Sequence, residues 1–254
     1  MGVFYNYIKC VKKIAEQWKV TLVKVAVLLF VVYLFLYCSL SVGQVTIYGI
    51  EISGLHQKNG EGIYDKIIHE AVVRPEKVSI IVNPLSRARH FFQKCDNCCI
   101  SPSNLSYEAE NFSSDGLLQT QPFNLAKAYV FVKPGQPAVS RLTDLQGKRV
   151  GVSHGMFYGT AFAQAALSTE AVQKVEQNIK KLQQGRIDVF IAYVPDVYFA
   201  FQNLQIEPYP HDVSMPIVTQ QESLVCRGVV PEFIENFNEK IEYLKSVGRI
   251  EIFD

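Results

Sequence analysis

The amino-acid sequence predicts a two-lobed α/β protein that is preceded by an apolar N-terminal helix. Two observations predict the lobes: strand and helix patterns alternate from Val45 onwards, and the alternation restarts after a proline- and glycine-rich break at 133–137. The third observation is an uncharged apolar run at 25–38. The 254 residues are 48% hydrophobic and 19% charged. This globular composition excludes a disordered chain and a multi-pass membrane protein.

Residues 1–43 are predicted to be a signal peptide or a membrane anchor. Five lysines and one glutamate accompany an apolar run of 14 residues, which is the pattern of a secretory signal. Small residues just before Gln44 fit a cleavage site that would make Gln44 the first residue of the mature protein. The alternative is an uncleaved span over residues 20–42, about the length that a membrane requires. Both interpretations place the rest of the chain in the periplasmic or extracytoplasmic space, and the second anchors it to the inner membrane.

The first lobe begins with alternating strands and helices, a pattern that predicts a parallel sheet covered by helices. Asn83 and Pro84 form a helix start signal, a capping side chain followed by proline at the first helical position. The predicted elements are a strand at 45–50, a helix at 63–72, a strand at 78–82, a helix at 84–94 and a short strand at 98–101.

The second lobe is predicted between two proline-rich breaks, at 133–137 and 208–216. A strand at 129–132 precedes the first break, and a strand at 223–226 and a helix that stops at Gly248 follow the second. Between the breaks we expect a strand at 148–153, a helix at 155–167, a polar helix at 169–184 and a strand at 187–193. The lobes are therefore assigned to 44–137 with 214–254, and to 138–213, with a ligand cleft between them.

Four cysteines, Cys95, Cys98, Cys99 and Cys226, belong to the exported part. Disulfides are possible in an oxidising compartment, and burial as small apolar residues is the alternative. No second cysteine pair or paired histidines complete a zinc motif, so no metal and no cofactor is expected. The five histidines are scattered and form no nucleophile constellation, so no catalytic residue is assigned. The formal net charge of +1 argues against a nucleic-acid partner.

Two segments carry a resemblance to a known family. The stretch LTDLQGKRVGV at 142–152 and the stretch LQQGRIDVFI at 182–191 resemble motifs of the extracellular solute-binding protein family 3, the type II periplasmic binding proteins. Weaker matches extend the resemblance over nearly all of 44–254. It implies the two-lobed type II periplasmic binding protein fold and a non-catalytic protein that captures a small polar solute, delivered to the permease of an ABC-type transporter. The alternatives are a membrane-anchored sensory or interaction module and a dehydratase-like enzyme on the same fold.

The sequence departs from the pattern of the family's amino-acid binders at both charged ends of the ligand. Residues 104–123 contain no arginine or lysine where the resemblance implies a carboxylate clamp. Tyr193 stands where an acid would hold the ligand ammonium. We therefore expect an anionic or neutral polar ligand and no free α-amino acid.

The candidate ligand-binding residues come from both lobes. Ser53 and Gly54 lie in the loop after the first strand, and Arg87 is a cation in the first turn of a helix, where the helix dipole disfavours it. In the second lobe a predicted helix start offers backbone N–H groups to an anion. The candidates from this lobe are His154, Gly155, Phe157, Tyr158 and Tyr193.

Overall fold

The computed structural model describes residues 44–111 and 115–250. The predicted signal peptide or anchor at 1–43 lies outside the described residues. None of the described helices is long and apolar enough to cross a membrane.

The described residues alternate between strands and helices, as the sequence predicts. The strands are β1 (Val45–Ile50), β2 (Val78–Asn83), β3 (Cys98–Ser103), β4 (Leu117–Gln119), β5 (Asn124–Phe131), β6 (Val150–Ser153), β7 (Thr169–Val172), β8 (Val189–Val194) and β9 (Val218–Arg227). The helices are α1 (Ile63–Ala71), α2 (Leu85–Lys94), α3 (Leu105–Asn111), α4 (Thr160–Gln164), α5 (Val175–Gln183), α6 (Asp196–Asn203) and α7 (Pro231–Ser246).

Hydrogen bonds join these strands into one mixed sheet with the order β2–β1–β3–β9–β5–β8–β6–β7, and β4 also pairs with β9. Strand β1 is parallel to β2 and β3, and β6 is parallel to β7 and β8. Strand β9 is antiparallel to β3, β4 and β5, and β5 is antiparallel to β8. The parallel sheet predicted for the first three strands is thus confirmed. The sequence predicted no direction for β5 and β9, which lie antiparallel between two parallel sets.

The first half of the fold, made of β1–β4, the end of β9 and helices α1, α2 and α7, packs around one hydrophobic core. Helix α7 shows why the sequence forms this layer. Ile234, Phe237, Ile241 and Leu244 recur at helical spacing, and all four are buried. Their side chains cover the face of the sheet and stabilise the half through the hydrophobic effect.

The second half, made of β5–β8 and α4–α6, has a core on each face of its strands. Successive residues of a strand point to opposite faces. In β5, Ala128 and Val130 accordingly belong to one core, and Tyr129 and Phe131 belong to the other. Each half therefore has its own buried side chains.

Strand β9 connects the halves. Its residues 218–222 pair with β5, and from Ser223 onwards it pairs with β3 and β4. Strand β5, which the sequence assigned to the first lobe, pairs with β8 as well as with β9. The lobe boundaries at 137/138 and 213/214 remain a proposal.

The segment at 154–172 differs from the prediction. The helix expected at 155–167 is restricted to α4, because Gly155 and Gly159 have φ of +75° and +88° and hold the preceding segment in turns. The polar helix expected from Thr169 begins only at Val175, since residues 169–172 form β7 beside β6.

All four described cysteines are paired. One disulfide joins Cys95 to Cys98, and the other joins Cys99 of β3 to Cys226 of β9. The sequence left the pairing open, and the alternative of buried free thiols does not hold for any of the four.

Candidate functional site

The candidate site lies where strand ends of the two halves meet. The carboxyl ends of β1 and β3 reach it from the first half, and those of β6 and β8 reach it from the second. Ligands of α/β proteins commonly bind at such strand ends. The polar part of β9 crosses between the halves at the same place, and it contributes Gln220 and Glu222.

The cleft contains two connected regions, which we call the inner and the outer chamber. The inner chamber has a volume of about 50 Å³. It is lined by Ile50, Ile52, Leu85, Arg89, Pro102, Ser103, Asn104, Tyr107, Met156, Phe157, Tyr193, Asp196, Gln220 and Glu222. The outer chamber, of about 460 Å³, includes Ser53, His56, Lys58, His154, Lys174 and Glu176, and shares Asp196 with the inner one.

Arg89 is the cation of the inner chamber. Its guanidinium lies 4.3 Å from the centre of the Tyr107 ring, and its Nη1 donates to the carbonyl of Gly155 at 3.0 Å. The buried Nε has no hydrogen-bond partner among the described residues. Because an unpaired buried donor is costly, this N–H would gain from an acceptor supplied by a ligand.

Asp196 is one of two carboxylic acids in the inner chamber. It is the first residue of α6 and follows β8 after Pro195. Burial, together with the nearby Glu222 carboxylate, raises the pKa of Asp196 well above its ordinary value. A cation placed beside both acids would favour their ionised forms.

Glu222 is the second acid, and it lies where β9 leaves β5. The Asn124 amide donates to the Glu222 carboxylate at 2.7 Å, and the hydroxyl of Tyr64 also donates to it. Burial raises the pKa of Glu222, although these two hydrogen bonds act in the opposite direction. The donors hold one carboxylate oxygen in place.

Aromatic side chains form the wall of the second half. Phe157 and Tyr193 line the inner chamber, and Tyr158 lies buried behind them with its ring stacked on that of Tyr193 at 5.7 Å. The Tyr193 hydroxyl donates to the carbonyl of Phe157. Burial raises the pKa of Tyr193, and the neighbouring Tyr158 and Glu222 raise it further, so its phenol stays neutral.

The structure places most of the residues proposed from the sequence at the cleft, although their roles differ. Ser53 and His154 line the outer chamber, and Ser53 donates to Glu176 at 3.0 Å. Gly54 lies under the ring of Phe199. Arg87 is exposed and lines neither chamber.

The helix start expected at Gly155, whose backbone N–H groups were proposed to hold an anion within 153–160, is not formed there. Helix α4 begins only at Thr160, and the N–H groups of His154 and Met156 already donate to the carbonyls of Val172 and Ser153. The carbonyl of Gly155 instead accepts from Arg89.

No cation occurs in 104–123, and Tyr193 stands in place of an acid. The inner chamber is nevertheless lined by an arginine, Arg89, and a carboxylic acid, Asp196, at positions that were not among the predicted site residues. Arg89 lies four residues after Leu85, and both side chains line the chamber, as expected for neighbours on one helix face. Arg87 lies between them in sequence and is therefore on another face.

No protein-family model matches the chain, and no curated protein matches its sequence significantly. Several solved structures share its fold at low identity. They include the ligand-binding core of GluR0 from Nostoc punctiforme in complex with L-glutamate, with 16% identity and a TM-score of 0.63 over 81% of this chain and 94% of that one. Holo ArgBP from T. maritima has 14% identity and a TM-score of 0.60 over 80% of this chain and 90% of that one.

A histidine kinase sensor domain with similarity to periplasmic binding proteins also shares the fold. It has 14% identity and a TM-score of 0.62 over 81% of this chain and 92% of that one. At these identities the comparisons establish the α/β fold of periplasmic binding proteins.

Proposed function

We propose that the chain is an extracytoplasmic, non-catalytic binding protein for a small solute that carries both an ammonium and a carboxylate group, as an amino acid does. The observation that carries the proposal is the charge arrangement of the inner chamber. Arg89 enters it from the first half, Asp196 enters it from the second, and Glu222 lies on the strand between the halves.

Each charged group has a distinct role in this proposal. The guanidinium of Arg89 binds the ligand carboxylate, with Nε as the donor that lacks a partner among the described residues. Asp196 and Glu222 take the ligand ammonium between them. The cation offsets the cost of burying two nearby carboxylates. Phe157 and Tyr193 cover the apolar part of the ligand.

The low-identity structural neighbours support a binding role. The ligands named for them are amino acids: glutamate for the GluR0 core and, for an ancestral arginine-binding protein, glutamine or arginine. The two disulfides support an oxidising compartment outside the cytoplasm.

The ligand-bound protein has two candidate roles. In the first, the protein delivers its ligand to the permease of an ABC-type transporter, the role of a neighbour described as the substrate-binding protein of an amino acid ABC transporter. In the second, residues 20–42 anchor a sensory module, and the shared fold of the histidine kinase sensor domain favours this alternative. The mass of the mature protein shows whether residues 1–43 are retained, which the second assignment requires.

Dialysis tests the proposed site. The full chain, purified in detergent, is equilibrated with an equimolar mixture of the twenty common L-amino acids, and the retained amino acids are identified by mass spectrometry. We expect the unchanged protein and Arg87→Ala to retain the same amino acid. Arg89→Ala should retain about ten- to hundredfold less, the usual effect of losing a charge-assisted hydrogen bond. Retention of no amino acid, or equal retention by both variants, would contradict the proposal.

A further inference from the structure

Helix α6 contributes to the cores of both halves. Val197, Ala200 and Phe201 are buried in a core of the second half, to which the helix belongs. Phe199 instead packs against the core of the first half. One side chain of this helix therefore crosses from the second half to the first.

The Phe199 ring lies against a glycine. Gly54, in the loop after β1, has φ of +76°, and a Cβ at this position would lie 2.4 Å from two carbons of the ring. Non-bonded carbon atoms do not approach so closely in a packed interior, so any side chain at 54 would have to displace the ring. The absence of a side chain is required by the neighbouring helix as well as by the backbone.

Other direct contacts join the halves beside this pair. Ser53 donates to Glu176 of α5 at 3.0 Å, and Arg89 of α2 donates to the carbonyl of Gly155 at 3.0 Å. Met156 packs against a core of each half. Direct protein contacts thus join the two halves beside the cleft.

We infer that Gly54 is a closure-determining residue: because it has no side chain, the Phe199 ring packs on the loop after β1, and this contact stabilises the arrangement in which the two halves meet. Phe199 and Gly54 act as positioning residues and do not line the inner chamber. This inference goes beyond the proposed function, since it concerns a contact between the two halves and holds for any ligand chemistry.

A consequence concerns affinity. When direct contacts stabilise the closed form, the ligand reaches the chamber only in the fraction of molecules that open, but less free energy is needed to hold the halves together afterwards. Removing the contact between Phe199 and Gly54 should shift the ligand-free protein towards the open form.

Hydrogen exchange measured by mass spectrometry on the ligand-free full chain in detergent tests the inference. In Gly54→Ala, the segment 153–159 of the opposite half should exchange about tenfold faster or more, the order expected from overpacking a close contact. Gly60→Ala is the matched control, because Gly60 has φ of +75° and a Cβ there would have no described atom within 4 Å. It has the same backbone strain and no ring to displace, so its exchange should stay as in the unchanged protein.

Two further variants make the test decisive. Phe199→Ala removes the ring without altering the loop backbone, and it should also speed exchange at 153–159. In that background, adding Gly54→Ala should have no further effect beyond that of Gly60→Ala, because the clash is gone. Segment 98–103 of β3, whose protection from exchange reports on the fold of the first half, should exchange at an unchanged rate in the Phe199→Ala variants.

Two outcomes would overturn the inference. One is equal exchange at 153–159 in Gly54→Ala and Gly60→Ala. The other is an equal effect of Gly54→Ala on this exchange with and without Phe199. A failure of amino-acid retention would leave these outcomes unaffected.

Discussion

Two buried carboxylic acids line the inner chamber where β9 passes from the second half to the first. Asp196 and Glu222 lie near each other, and the pKa of each is raised, first by burial. An acid with a raised pKa keeps its proton in the folded state, and ionising it costs folding free energy. A cationic ligand group placed beside the two acids would offset this loss of folding free energy.

The first prediction concerns Asp196→Asn, which keeps the shape of the side chain and removes the ionisable group. Wild-type stability should fall as the pH rises from about 4 through the raised pKa, whereas the variant should lose less, because only the raised pKa of Glu222 remains. At pH 7.5 we expect the ligand-free variant to have the higher melting temperature, because it has one buried ionisable group fewer. Amino-acid retention should be lost. Thermal denaturation at pH 4.5 and 7.5 measures the difference.

Asp188→Asn is the control, because the pKa of this carboxyl group is shifted in the opposite direction. Hydrogen bonds from the side chain and backbone of Arg149 lower the pKa of Asp188 to about 2. Its contribution to stability is present above about pH 4 and is lost as the pH falls towards 2. This variant should therefore be slightly destabilised at pH 7.5, by less than about 1 kcal/mol for a solvent-exposed pair. An Asp196→Asn variant that is less stable than the unchanged protein at pH 7.5 would disprove the claim that ionising Asp196 lowers folding stability.

At the residue scale, the loops of the cleft were predictable from the sequence, but the charged residues Arg89, Asp196 and Glu222 were not predicted. Asp196 could have been found from the sequence. Strand β8 is followed by Pro195 and a helix start, just as strand β2 is followed by Pro84 and the start of α2. Arg89 was harder to assign. Only the packing of Ala88 and Phe92 into the core determines which face of α2 turns to the cleft, and that face carries Arg89 while Arg87 is exposed.

Among the elements, β3 and β9 are held by a covalent link as well as by hydrogen bonds. The disulfide Cys99–Cys226 closes a separation of 127 residues, whereas Cys95–Cys98 closes one of three. In the chain-entropy description, a cross-link stabilises more when it closes a longer loop, because it restricts the unfolded state more.

We therefore predict unequal effects of removing the two disulfides. The double variant Cys99→Ala/Cys226→Ala should lose about 2–5 kcal/mol of unfolding free energy. The variant Cys95→Ala/Cys98→Ala is the matched control and should lose clearly less. Urea denaturation at fixed pH provides the two values. Equal losses would show that loop length does not determine the stabilisation here.

The elements themselves were mostly predictable, with one instructive failure. Strands and helices with apolar periodicity, such as β1, α1 and α7, match the sequence analysis within about two residues. The segment 154–172 does not, because two glycines with positive φ shorten the first helix and the pairing of β7 with β6 overrides the helical pattern of a polar stretch. Local pattern cannot reveal a strand whose stability depends on its partner.

On the scale of the whole molecule, β9 explains both the arrangement and the missed acid. The sequence pattern predicts only the apolar part, 223–226, whereas the strand begins at Val218. Residues 219–222 are polar and do not resemble a buried strand, yet they pair with β5 and bring Glu222 between the halves. The α/β class was therefore predictable, but the antiparallel crossing that builds the site was not.

The most direct test of the two-ended site is thermal denaturation of the full chain in detergent with each of the twenty common L-amino acids, and with the amine formed by decarboxylating each one that binds. At about a hundredfold excess over the dissociation constant, ligand binding adds roughly 2.7 kcal/mol, or about 5–10 °C for a protein of this size. We predict that at least one amino acid gives such an increase and that its amine, which has no carboxylate for Arg89, gives little or none. An unchanged melting temperature with all twenty, or an amine as effective as its amino acid, would contradict the proposed function.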